Sequence, residues 1–194
     1  SVRGEAMQKA VEKSNTSMAA VLTSDMSSTI SSIQKLNEQG IDINISNYND
    51  ASQIVISGLI EDLDYLKSNP KDLDAKRVIP LDVAGAFHSP TVTPAKNALE
   101  TVLNDIEINT GTFDVYLNVN AKPVEISSLK QCLVDQIDNS VRFYNQIINI
   151  QNALKPDYWY HIGPGSVTAG MVKKSISSKE IGVLNSLSSI NELN

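Results

Sequence analysis

The chain has 194 residues, 41% of them hydrophobic, and a formal net charge of −6. This length can bury the core of one ordinary domain or of two small subdomains. The acidic balance, without a concentrated basic stripe, argues against nucleic acid as the main partner. The apolar runs are only strand-length and the first residues lack a signal-peptide pattern, so neither a membrane span nor secretion is expected. We predict a soluble, cytoplasmic protein.

The first half of the chain alternates strand and helix patterns. The predicted elements are a helix over about 3–13, a strand over 18–23, a helix ending near 39, strands over 41–46 and 53–57, a helix over 60–67 and a strand over 76–83. Asp25 is the predicted N-cap of the second helix and Gly40 its stop, while residues 47–50 suit the turn between the two strands. The order βαββαβ from residue 18 to 83 indicates a ferredoxin-like subdomain.

The second half also alternates helices and strands. Its predicted elements are a helix over 90–106, a strand over 115–119, helices over 129–137 and 142–154, a strand over 158–162 and a helix ending near 174. This alternation is typical of an α/β architecture with a mostly parallel sheet. A sheet built from these strands alone is too small, so further strands are expected.

One of the two histidines, His88, lies where a predicted strand gives way to a helix, within Gly85–Pro90. A histidine in such a loop, with small residues beside it, can act as a general base at neutral pH. The alternative, at even odds, is a histidine satisfied by neighbouring backbone carbonyls. The chain offers no serine in a G-x-S-x-G elbow for a base to activate. The other histidine, His161, is interpreted as a core residue of a buried strand.

Cysteine chemistry contributes little, because Cys132 is the single cysteine and no internal disulfide can form. Cys132 falls in a helical pattern and is interpreted as a buried, inert thiol, consistent with a reducing intracellular compartment. Two histidines without clustered cysteines or carboxylates argue against a metal site.

Three further features carry weaker signals. Arg3, beside Gly4 at a helix start, can grip a carboxylate through two parallel hydrogen bonds, although an arginine near a terminus is usually a solvated surface group. The turn at 163–166 opens a helix and could cradle an anion, but a simple strand-to-helix turn is favoured because no known phosphate motif matches. Lys173 and Lys174 complement the dipole of the last predicted helix, or meet an acidic partner.

Seven segments in chain order together resemble the malonyl-CoA:acyl carrier protein transacylases, the acyltransferases of fatty-acid and polyketide synthesis. They are Arg3-Gly4 with Met7-Gln8, Met18-Ala19-Ala20-Val21, Asn47-Tyr48-Asn49 with Gln53-Ile54-Val55-Ile56-Ser57-Gly58, Lys76-Arg77, Gly85-Ala86-Phe87-His88-Ser89-Pro90, Leu133-Val134-Asp135-Gln136, and Ile162-Gly163-Pro164-Gly165. The resemblance implies a hydrolase-like α/β subdomain with an inserted ferredoxin-like subdomain. It assigns residues 1–16 and 85–194 to the larger subdomain and 17–84 to the smaller one.

The resemblance also implies a reaction, in which malonyl moves from coenzyme A to a serine and then to the phosphopantetheine thiol of acyl carrier protein. His88 would be the general base, Arg3 would hold the malonyl carboxylate, and Gln136 would lie at the active site. Phe87 before the histidine resembles the malonyl-selective members, since a bulky ring crowds the space beside the α-carbon. The histidine of this family usually contacts a backbone oxygen in the region of Asn118 and Val119.

The serine elbow and the oxyanion donors of that family are absent from the 194 residues. Because the chain also begins in a helical run without an initiator methionine, we expect it to be the C-terminal part of a longer enzyme, inactive alone. The resemblance implies no permanently bound cofactor, with malonyl-CoA as substrate, and acyl carrier protein and the missing N-terminal portion as partners. Two alternatives remain: a noncatalytic ferredoxin-like binding module, and an editing acyl hydrolase of the same fold, against which Arg3 argues.

Overall fold

The computed structural model describes residues 1–176 and 181–191. Its helices and strands, in chain order, are α1 (Val2–Val11), β1 (Thr16–Leu22), α2 (Met26–Glu38), β2 (Asn44–Asp50), β3 (Gln53–Leu59), α3 (Ile60–Ser68), β4 (Arg77–Pro80), α4 (Lys96–Asn104), α5 (Ile126–Asp135), α6 (Phe143–Leu154), β5 (Trp159–Ile162), α7 (Val167–Ser175), β6 (Ile181–Leu184) and α8 (Leu187–Asn191). Two 3-10 turns cover Pro70–Leu73 and Pro90–Ala95. No described helix is long and apolar enough to cross a membrane.

Four strands form an antiparallel sheet in the order β2-β3-β1-β4, which fits the predicted βαββαβ unit. The β-branched residues of the two central strands suit a pleated, buried surface. Val21 of β1 and Ile54 and Ile56 of β3 are fully buried in one core cluster with Ile33 of α2 and Leu66 of α3. Burying each such side chain contributes about 1.5–3 kcal/mol to folding. The residues that the helical spacing and the strand alternation predict to be buried therefore pack together in one core.

The boundaries of α2 are those that the sequence predicts. The Asp25 carboxylate accepts a hydrogen bond from the backbone N–H of Ser28 at 3.0 Å, which satisfies one of the free amides of the first turn. At the other end Gly40 has φ +94°, a conformation that glycine adopts at little cost.

The predicted turn at residues 47–50 is wrong, because these residues belong to β2. The strand continues through two irregularities in register, and the chain reverses at residues 51–52. The Asp50 carboxylate closes this turn by accepting from both the backbone N–H and the hydroxyl of Ser52 at 2.8 Å. Polar residues that usually mark a turn are tolerated here because β2 is the edge of the sheet.

Two other strand predictions need correction. The strand predicted over 76–83 is shorter, since β4 ends at Pro80. Residues 115–119 form no strand: they fold back on 122–124, with an isolated bridge between Tyr116 and Pro123. Val115 and Leu117 bond within this local reversal, and the carbonyls of Tyr116 and Asn118 accept from Gln146 and Arg142 rather than from a neighbouring sheet strand.

The other described sheet is a parallel pair, β5 with β6, and the sequence did not predict β6. Helices α6 and α7 pack against it through Ile147, Val172 and Ile176, with Trp159 and Ile181 beside them. The outward side of β5 is open, and Ile162 is 76% exposed. His161 points to the opposite face from Ile162, toward α7, and is half-buried there, so the prediction of a core histidine is wrong. Its ring nitrogens contact the hydroxyl of Thr168 and the carbonyl of Gly163 instead.

Candidate active site

The loop between β4 and the second 3-10 turn is held by three side-chain hydroxyls. Thr16 accepts from the backbone N–H of Ala86 at 3.1 Å, and Ser46 donates to the carbonyl of Phe87 at 2.9 Å. Buried Ser89 donates to the carbonyl of Ala86 at 2.7 Å and caps the 3-10 turn. Bonds from β1, β2 and the loop itself thus fix the backbone on both sides of His88.

Gly85 allows helix α1 to lie directly against this loop. A Cβ added at Gly85 would stand 2.5 Å from the Cβ of Val11, which is 1% exposed in α1. No real Cβ contact is that short, so only glycine fits without a shift of helix or loop. The same helix carries Arg3. The close approach of α1 to the loop therefore sets the distance between Arg3 on the helix and His88 in the loop.

We expect Gly85→Ala to destabilise the fold by about 1–3 kcal/mol, because overpacking a β-branched neighbour forces the backbone to move. Urea unfolding followed by circular dichroism measures this. Gly111→Ala is the matched control, since a Cβ at Gly111 has nothing within 4 Å, and its effect should stay within about 0.5 kcal/mol. Equal midpoints for the two variants would contradict the close contact.

The ring of His88 is held by a backbone carbonyl. Its Nδ1 lies 3.0 Å from the carbonyl oxygen of Gln136, the residue that ends α5. A carbonyl can only accept, so Nδ1 carries the proton and Nε2 keeps its lone pair. The expected backbone oxygen near Asn118 and Val119 is not the partner, because the Asn118 carbonyl accepts from the N–H of Arg142. The ring is therefore preset in the tautomer that a general base needs.

The pKa of His88 is lowered from its ordinary value of 6.5. Burial is the largest cause, and the positive charge of Arg3 acts in the same direction, while the carbonyls of Gln136 and Asn139 oppose it. Both desolvation and a nearby cation disfavour the charged imidazolium. At neutral pH the imidazole is neutral and able to accept a proton.

Arg3 and Gln136, two of the residues singled out in the sequence, line one cavity of about 310 Å³. The rest of its lining is Leu99, Leu117, Asn118, Cys132 and Leu133. Arg3 is exposed in the first turn of α1, so its guanidinium is available to a ligand. An arginine at the edge of an apolar cavity suits a ligand with a carboxylate on a short carbon chain. Cys132 borders this cavity and is half-buried, not buried as predicted.

The side chain of Gln136 ties the end of α5 to the following loop. Its Nε2 donates to the carbonyls of Asn139 at 2.9 Å and Ser140 at 3.3 Å, whereas its Oε1 is buried and has no hydrogen-bond partner among the described residues. His88 itself lines a second cavity of about 330 Å³. Phe87 lines neither of these two cavities; its ring packs against the cluster that contains Met7 and Val11.

No sequence pattern indicated the polar contacts that fix the loop after α5. Lys96 at the start of α4 pairs with Asp138 at 2.9 Å and with Asp135 at 3.2 Å, and Thr93 donates to Asp138 at 2.9 Å. The hydrogen bond to Asp138 is the main cause of the raised pKa of Lys96. Spacing along the chain could not reveal this group, because Lys96 and the two carboxylates come together only through packing of α4 on α5.

The remaining candidates have structural explanations. Gly163 and Gly165 have φ values of +138° and +75°, which a strand-to-helix turn requires of them. Lys174 finds an acidic group within the chain, since its Nζ lies 3.4 Å from the buried carboxylate of Asp50. Among the described residues no group of three or more histidine, cysteine or acidic side chains is arranged to hold a metal ion.

Comparisons with known proteins agree with the fold and the motifs. No protein-family model matches the chain. The malonyl CoA-acyl carrier protein transacylase of Bacillus subtilis is 36% identical over 173 residues, covering 89% of this chain and 54% of that protein. A polyketide biosynthesis malonyl CoA-acyl carrier protein transacylase of Bacillus velezensis is 34% identical over 173 residues, covering 89% and 58%. The chain thus spans about half the length of the curated relatives it matches.

Solved structures give the same result. The malonyl CoA-acyl carrier protein transacylase of Clostridium perfringens superimposes with a TM-score of 0.87 at 31% identity, covering 99% of this chain and 60% of that one. A malonyl-transacylase in complex with its type II polyketide acyl-carrier protein superimposes with a TM-score of 0.88 at 28% identity, covering 100% and 63%. The mixed α/β architecture is confirmed, and by sequence and by fold the chain is similar to the C-terminal part of the malonyl CoA-acyl carrier protein transacylases.

Proposed function

We propose that the protein containing this chain transfers malonyl groups from coenzyme A to the phosphopantetheine thiol of an acyl carrier protein. The observation that carries the proposal is the pairing of His88 with the Gln136 carbonyl beside the Arg3 cavity. A neutral imidazole with a fixed tautomer and a cation at an apolar cavity are two of the elements that a malonyl ester reaction requires. The names of the relatives support the same reaction.

In this reaction a serine outside these 194 residues is the nucleophile. Nε2 of His88 takes the serine proton as the oxygen attacks the malonyl thioester, and returns that proton to the departing coenzyme A thiolate. In the second half the carrier thiol gives its proton to His88 and attacks the seryl ester. The serine oxygen then leaves and regains the proton from His88. The imidazole ends the cycle neutral, as it began.

The other site residues position the acyl group. Arg3 holds the malonyl carboxylate by two parallel charge-assisted hydrogen bonds. Gln136 orients His88 through its carbonyl and faces the same cavity as Arg3. Phe87, directly before the base, stays the candidate for selectivity for malonyl over groups with a methyl branch, although its ring packs against the cluster of Met7 and Val11.

The remaining parts of the proposal concern the whole protein. Oxyanion donors come from the same additional portion as the serine, and no cofactor is permanently bound. Residues 1–16 and 85–194 belong to the larger α/β subdomain, and 17–84 form the ferredoxin-like one. A cytoplasmic location stays a prediction.

The pH dependence of transfer tests the proposed base. Protonated His88 cannot act, so kcat/KM should fall as the pH drops through the His88 pKa and stay level above it. Because that pKa is lowered, the fall should occur below pH 6.5. Transfer of radiolabelled malonyl from malonyl-CoA to carrier protein, measured with the intact protein at a series of pH values, gives the profile. No transfer at any pH would favour a noncatalytic binding module, and release of the acyl group to water would favour an editing hydrolase.

A further inference from the structure

The position of the Gln136 carbonyl decides whether His88 can act as a base, and that carbonyl lies at the end of a helix. The backbone continues from α5 into a loop that also presents the carbonyl of Asn139 to the histidine. Helix ends are free to fray unless other contacts hold them. A neutral imidazole can carry its proton on either nitrogen, so a displaced carbonyl would let the proton move to Nε2.

A charged cluster holds this helix end. The ammonium of Lys96 lies 3.2 Å from Asp135 and 2.9 Å from Asp138, on either side of Gln136 along the chain. The three side chains are only 14–37% exposed, so their attraction is less screened than that of a surface pair. Asn139 adds bonds to the carbonyl of Asp135 at 2.8 Å and the carboxylate of Asp138 at 3.0 Å. The two carboxylates would repel each other without the ammonium between them.

We propose that Lys96 is a positioning residue: by clamping Asp135 and Asp138 it holds the Gln136 carbonyl at the Nδ1–H of His88. Its role in catalysis rests on the proposed function, but the clamp itself does not. Lys96 follows directly on the 3-10 turn that begins two residues after His88, so one short segment carries both the base and the cation that orients it. A shift of 1 Å in the carbonyl would break a hydrogen bond of 3.0 Å.

The charged groups around His88 distinguish the proposed indirect effect of Lys96 from a direct electrostatic effect on the histidine. Arg3 on α1 is the charge that acts on the pKa of His88, together with the two carbonyls and burial. Asp138 lines the same cavity as His88. Asp135 and Lys96, which pair with each other, are not among the lining residues of that cavity. Loss of Lys96 should therefore act on His88 through the position of the Gln136 carbonyl. The tautomer of the His88 ring reports on that position more directly than the pKa of the ring does.

The experiment is nitrogen NMR of the intact protein labelled with ¹⁵N-imidazole histidine, at a pH of about 9, where imidazole rings are neutral. The His88 ring is assigned by its absence from His88→Gln, and the ring of His161, assigned through His161→Gln, serves as the internal reference. The parent should show His88 as the Nδ1–H tautomer. In Lys96→Met we expect the Nδ1–H fraction of His88 to fall at least about twofold, with His161 unchanged, whereas Lys96→Arg should keep the parent spectrum.

A second variant keeps the test decisive if Lys96→Met fails to fold. Thr93→Val removes the hydrogen bond to Asp138 without changing any charge and should shift the His88 tautomer in the same direction, by less. A parent-like tautomer in folded Lys96→Met, or in Thr93→Val if that is the only folded variant, overturns the clamp. Because the spectrum needs no substrate, an intact protein that fails to transfer malonyl but shows a responsive tautomer would refute the transferase proposal and leave the clamp standing.

Discussion

Replacing His88 with glutamine is expected to lower malonyl transfer by about 10²–10⁴-fold, the usual contribution of a positioned general base. Glutamine can still donate a hydrogen bond to the Gln136 carbonyl, but it cannot take the proton of a serine or a thiol. Transfer of radiolabelled malonyl to carrier protein by the intact protein measures the loss. The residual rate should be independent of pH over the range in which the parent loses activity on acidification.

The control for this variant is His161→Gln. His161 bonds to Thr168 of α7 and to Gly163 just after β5, away from the cavity that Arg3 lines, so transfer should remain close to that of the parent. Circular dichroism must show that both variants are folded. If His88→Gln transferred malonyl at the parent rate, His88 would be a histidine satisfied by backbone carbonyls and nothing more.

Arg3→Ala is expected to lower malonyl transfer by about 10²-fold or more, because two hydrogen bonds to a charged carboxylate are lost. Acetyl lacks that carboxylate, so acetyl transfer should be spared or raised, and the ratio of the two rates is the decisive quantity. Competition between malonyl-CoA and acetyl-CoA in one reaction measures it directly.

The matched control is Lys9→Ala, which removes the same charge from the exposed side of the same helix. It should leave the malonyl-to-acetyl ratio unchanged. If Arg3→Ala reduced both rates in parallel, Arg3 would act on the fold of α1 or on His88 and not on the carboxylate. A general electrostatic effect would instead appear in both Arg3→Ala and Lys9→Ala.

Local signals predicted the small sheet well, and the reasons are visible in its residues. Asp25 and Gly40 mark the limits of α2 because capping and left-handed backbone depend on residue type alone. The turn at 47–50 was wrong because the position of β2 at the sheet edge, a tertiary fact, makes polar residues acceptable in a strand. Likewise His161 lies in a strand of the predicted kind, but its contacts with Thr168 and Gly163 leave it half-buried, and strand alternation alone could not predict that.

The site was predicted in part. His88, Arg3 and Gln136 do come close together, although they lie on a loop, the first turn of α1 and the end of α5. What spacing could not supply was the atom that His88 contacts, a backbone carbonyl that carries no side-chain signature. The cluster of Lys96, Asp135 and Asp138 could not be predicted either, since salt bridges between distant segments follow from packing and not from a sequence pattern.

The loop that carries the acceptor of His88 also closes the edge of the antiparallel sheet. Val141 pairs with β2, accepting from the N–H of Tyr48 at 2.8 Å and donating to the carbonyl of Ser46 at 2.8 Å, and Arg142 lies over the Tyr48 ring. An unpaired edge strand invites pairing with other chains. Loosening this loop would therefore displace the acceptor of His88 and would also expose the edge of β2 to pairing with other chains. The same few hydrogen bonds thus protect the molecule from aggregation.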